Sequence, residues 1–134
     1  MPQKDYIPIR MTAEHSHHYQ QLISNLTKCQ RADRSYMAAC YILSADDDVF
    51  EIADGLVDTE GINFALLRTV AKKKFGVSSS AYTAVEVGYS LFSWKDCRVN
   101  PHDMAQSGSF WLPIICNALL IQGNAANVEV AECS

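Results

Sequence analysis

Residues 36–43 read YMAACYIL, and residues 110–121 read FWLPIICNALLI, interrupted only by Asn117. An element with no polar face has nothing to offer water, so both stretches are expected inside a globule. Length alone leaves the first open to strand or helix. Its alanines, methionine and leucine, with Asp33 placed to cap it, favour helix. Ser109 as cap and Gly123 as stop do the same for the second, and Pro113 is tolerated in a first turn. The expectation is a central pair, 36–43 against 110–121.

The flanking sequence supplies more helices. Residues 1–11 read as an extended arm, because Pro2 and Pro8 disfavour helix. Thr12 is placed to cap a helix over 13–28, with Met11 as a staple residue. His15, Tyr19, Leu22, Leu26 and Cys29 recur on one face, and His17, Gln20, Gln21 and Ser24 lie opposite. Ser44, Asp46, Asp47 and Asp48 open a short helix over 47–53 that stops at Gly55. Residues 56–61 read as a turn. A helix over 62–75 aligns Phe64, Leu67, Ala71 and Phe75, with Lys72, Lys73 and Lys74 in its last turn and Gly76 behind it. Ser78, Ser79 and Ser80 offer a cap for a helix to residue 93. Its inner stripe is Ala81, Val85, Gly88 and Phe92, and its outer stripe Thr83, Glu86, Ser90 and Ser93. Gly88 in the inner stripe predicts close approach by a neighbouring helix. Residues 94–108 read as irregular, turning at Asn100-Pro101, and 124–134 as a weakly structured tail. The fold class is all-α: an irregular orthogonal bundle of five to six helices in one domain, 1–134.

Composition narrows the function classes. A length of 134 residues suits one core without cross-links. The formal charge is −4, against the strongly basic surface that tight phosphate binding needs. Five cysteines, an odd count with no C-x-x-C pair, read as the reduced thiols of a cytosolic protein. The opening MPQKDYIPIR lacks the apolar stretch of a leader peptide. No apolar run reaches the ~18 residues of a membrane span. A soluble, cytoplasmic chain is expected.

Several constellations could carry chemistry. Glu14 and His18, four apart, offer two ligands to one metal, with His102 or Asp103 as a third. Against this, His15 continues the apolar stripe while His17 and His18 fit a solvated face. Cys97 and His102 read as a loop thiol beside a loop histidine, with a nucleophile–base pair as the alternative. Asp46, Asp47, Asp48, Asp54 and Asp58 read as helix and turn caps, with magnesium as the alternative and no EF-hand spacing. Lys72, Lys73 and Lys74 read as a solvated helix end. Residues 75–78 are short enough for a helix-turn-helix corner, but the following helix presents Glu86 and few cations. Trp94, Phe110 and Trp111 read as core aromatics, with a protein interface as the alternative. No residue is assigned a catalytic, cofactor-binding or metal-ligating role.

One resemblance rests on particular residues. They are Tyr41-Ile42-Leu43-Ser44-Ala45-Asp46-Asp47-Asp48-Val49-Phe50, then Leu56-Val57-Asp58, Gly61-Ile62, Val77-Ser78-Ser79-Ser80 and Val87-Gly88-Tyr89-Ser90-Leu91-Phe92. Across residues 41–94 the chain resembles a group of small all-helical proteins, a domain of unknown function, found in Firmicutes and in their phages and mobile elements. Ser80 stands where that group has glycine, and Ser90 where it often has asparagine. The resemblance implies a helical fold and a mobile-element origin, and no catalytic residue. The functional expectation is a non-enzymatic accessory or protein-interaction module of phage or mobile-element type. The alternatives are a small metal- or small-molecule-dependent enzyme using the Glu14, His15 and His18 region, and a nucleic-acid-binding regulator. No cofactor is expected. A protein partner or self-association is, while membrane is not and nucleic acid is disfavoured.

Overall fold

The structure is a computed structural model that describes residues 5–129. In chain order its elements are β1 (Ile7–Arg10), α1 (Ala13–Ile23), α2 (Lys28–Ala32), α3 (Arg34–Leu43), α4 (Asp47–Ala53), β2 (Val57–Asp58), β3 (Gly61–Ile62), α5 (Phe64–Phe75), α6 (Ser80–Ser93), α7 (Pro101–Ala105), α8 (Gly108–Gln122) and β4 (Ala126–Glu129). The fold is mostly helical, 63%. Among the described residues there are eight helices rather than five or six, together with four short strands.

The two extra helices are single turns with reciprocal caps. The helix expected over 13–28 ends at Ile23. Thr27 then restarts the chain: its hydroxyl accepts from the Gln30 N–H at 3.2 Å, and the Gln30 amide oxygen accepts from the Thr27 N–H at 2.8 Å. His15, Tyr19, Leu22 and Leu26 keep their buried stripe, but Cys29 lies beyond the break and is exposed. Asn100 and Asp103 form the same box at the start of α7, inside the stretch read as irregular. At α8 the expected cap, Ser109, lies within the helix, which starts at Gly108. Gly108 has φ +86°, a conformation that suits glycine.

The arm read as extended holds β1, whereas β4 forms within residues read as a weakly structured tail, because its pairing partner lies at the far end of the described chain. β1 and β4 pair in parallel, Ile7 opposite Ala126 through Arg10 opposite Glu129, which joins the two ends of the described chain. β2 and β3 form a hairpin within the segment read as a turn. Residues 1–4 of the expected arm and 130–134 of the expected tail lie outside the described residues.

The core differs from the expected pair in one member. α3 is central: Ala38, Ala39, Cys40, Tyr41, Ile42 and Leu43 are all buried. Its most enclosed partner is α6, where every residue from Tyr82 to Gly88 is buried, including Thr83 and Glu86 of the expected outer stripe. α8 packs on both but buries a single face: Trp111, Ile115, Ala118 and Ile121. Partnering explains the exchange. Glu86 goes inside because α5 brings it Arg68, whose Nε and Nη2 donate to the carboxylate at 2.5 and 3.0 Å, and because the Arg98 N–H donates at 2.8 Å. Gly88 behaves as expected, lying under Phe64 of α5 and Ile42 of α3.

Candidate functional site

Two places stand out. The first is where α1 meets α4. Thr12 starts α1 by accepting the His15 N–H at 3.1 Å, and Asp46 starts α4 by accepting the Val49 N–H at 2.9 Å. Those two caps set Glu14 and His18 on one α1 face, opposite Asp47. One ligand atom from each of Glu14, His18 and Asp47 lies within 4.8 Å of the other two. The His18 ring stacks on Phe50 at 4.0 Å and 7°, and its side chain is 15% exposed. Its Nδ1 faces Asp47 Oδ1 at 3.8 Å. Asp47 holds the Glu14 carboxyl above the usual glutamate range, first by hydrogen bonding and then by charge. Beside the cluster is a recess of about 300 Å³ lined by Thr12, His15, Ala45, Asp46 and Phe110.

The second is the outer face of α8. At about 100° per residue, Ser109, Leu112, Pro113, Cys116 and Leu120 lie opposite the buried arc, with Leu120 half-buried against the core. Pro113 and Cys116 are exposed, Leu119 is 47% exposed at one edge, and Phe110 is 52% exposed at the other. In the last turn of α8, Gln122 Nε2 donates to Ser35 Oγ at 3.1 Å, and the same oxygen accepts from the Trp94 indole at 3.5 Å. Trp94 is 85% exposed and left-handed, with φ 66°. Bulky residues rarely adopt that conformation, which costs roughly 1–2 kcal/mol.

The other sequence candidates resolve into structural roles. His15 is buried. Its Nε2–H donates to the Tyr41 carbonyl at 2.8 Å, and burial holds its pKa below the usual histidine value. The third ligand-type group beside Glu14 and His18 is Asp47, in place of His102 or Asp103. Asp103 is engaged in the α7 capping box. The Cys97 thiol donates to the Val99 carbonyl at 3.3 Å. Asp58 accepts the Glu60 N–H in the hairpin turn. Lys72, Lys73 and Lys74 are exposed at the α5 end, with Lys74 3.8 Å from Glu51. α6 is too deeply enclosed to enter a groove of DNA. Of the three aromatics read as core, only Trp111 is buried.

Sequence reasoning missed Asp47 as a companion to the α1 pair because it looked like one more helix-start carboxylate. Its position in the acidic run was the available signal. Trp94 and Phe110, read as core with a protein interface as the alternative, are exposed.

No helix of the described residues is long and apolar enough to cross a membrane. No protein-family model matches the chain, and neither do the curated proteins or the solved structures searched.

Proposed function

We propose that the chain is a non-enzymatic protein-interaction module that pairs with a second copy of itself through the outer face of α8. The observation that carries this reading is the mismatch between composition and position. The helix that carries no charged side chain leaves Phe110, Pro113, Cys116 and Leu119 exposed, while a glutamate-bearing helix occupies the core. Every other helix among the described residues bears at least one Asp, Glu, Lys or Arg.

Charge argues for a second copy as the occupant. A two-fold contact sets each patch against itself, so a charged patch would meet its own sign. A chain of net charge −4 repels its copies on average, and an uncharged face adds no like charges at the contact. α8 spans about 22 Å. Phe110, exposed at its N-terminal end, adds an aromatic anchor of the kind interfaces favour. An accessory role of the phage or mobile-element kind fits a small self-pairing module.

Light scattering at micromolar concentration tests this. The expected particle contains two chains, and Leu119→Glu is expected to return it to a single chain of 14.9 kDa. A wild-type chain that stays at 14.9 kDa overturns the proposal.

A further inference from the structure

We propose that Glu14, His18 and Asp47 form a binding site for a divalent cation of the zinc class, held between α1 and α4. This is independent of self-pairing through α8. Among the described residues they are the one group of three such side chains whose ligand atoms converge, all within 4.8 Å. Ligands on one zinc ion at bond lengths of 2.0–2.2 Å stand roughly 3.3–3.6 Å apart in a tetrahedron. Closing the set therefore asks for about 1 Å of movement, within reach of ordinary rotamer changes in the exposed Glu14 and Asp47 side chains.

Histidine is the fixed member. Stacking on Phe50 sets its ring plane and leaves Nδ1 pointing at Asp47. The 3.8 Å separation is too long for a hydrogen bond and suits two ligands sharing an ion. The donor set of one imidazole and two carboxylates matches zinc and its first-row neighbours, whereas magnesium and calcium take oxygen alone. Electrostatics favours the cation. The N-termini of α1 and α4 each contribute about +0.5 charge, and the two carboxylates outweigh them with −2. The recess beside the cluster leaves one side of the ion open to water or a small anionic ligand, the arrangement of three-ligand zinc sites.

The test is calorimetric titration of the full-length chain with zinc chloride, with Co²⁺ absorption as a second readout. One ion per chain is expected. Glu14→Gln and Asp47→Asn are each expected to weaken binding at least tenfold while circular dichroism stays unchanged. Cys29→Ser and Cys116→Ser, which remove exposed thiols that also take zinc, are expected to leave binding intact. No binding at millimolar zinc overturns the proposal. So does binding that survives both carboxamide variants, or that disappears with either thiol.

Discussion

Glu86 shows how a single residue chose the core. Its side chain is wholly buried, and only its three donors make that tolerable. Burial pushes its carboxyl pKa up. The hydrogen bonds from Arg68 and from the Arg98 N–H, with the charges of both arginines, outweigh this and hold it below the usual glutamate range. A folded pKa below the unfolded one adds stability that is fully present above the unfolded value of about 4.3 and is lost as pH falls through the folded value. Urea midpoints should drop over that window. Arg68→Met is expected to cost about 3 kcal/mol at pH 7, the low end for breaking a buried pair, because the outer edge of Arg68 touches water. It should also abolish the acid-side loss, since an unpaired buried carboxylate takes up a proton. An unchanged pH profile in that variant would contradict the account. Gly88 gives the opposite kind of test. An added Cβ would sit 3.5 Å from Phe64 and 3.8 Å from Ile42, ordinary contact distances. Gly88→Ala should therefore be neutral or stabilising by up to about 1 kcal/mol. Gly88→Leu should destabilise by overpacking, and thermal melts would show both.

At the scale of elements, α8 separates what holds the fold from what faces outward. Ile115→Ala on its buried face should cost about 2–5 kcal/mol. Leu119→Glu on its outer face should change the folding stability of the single chain by less than about 0.5 kcal/mol. Equal losses in chemical denaturation would mean that the outer face is part of the core. Local rules made much of this legible in advance. Thr12, Asp33, Asp46 and Ser79 each cap the helix assigned to them, because a cap is decided within three residues. The α1 pairing of Glu14 with His18 was equally local. What stayed hidden depends on partners far along the chain. Glu86 meets Arg68 from 18 residues away. β1 finds β4 across the length of the chain, and Asp47 reaches α1 only once α4 has docked. Apolar content placed α8 at the centre, but burial went to the helix whose polar groups found donors.

Across the whole molecule, the two ends of the described residues are tied at one place. Arg34 donates to the Ala126 carbonyl at 2.9 Å and to Asn127 Oδ1 at 2.8 Å, and lies over the Tyr6 ring at 5.3 Å. Arg34→Met should cost about 2 kcal/mol, since hydrogen bonds from charged donors are worth roughly 1.5–3 kcal/mol. Hydrogen exchange should quicken at Val128 and Glu129 before it does in α3 or α6; uniform quickening would show that the strands and helices open together. The exposed α8 surface, which carries no charged side chain, is the face through which we propose that the chain meets its copy. Cys116 lies exposed in the middle of that face, so it reports on the contact directly. In a C29S/C97S/C133S chain, where Cys116 is left with the buried Cys40, a short bifunctional maleimide should link two chains through Cys116 in high yield at micromolar concentration. A chain that remains uncrosslinked under those conditions would contradict the pairing of copies through α8.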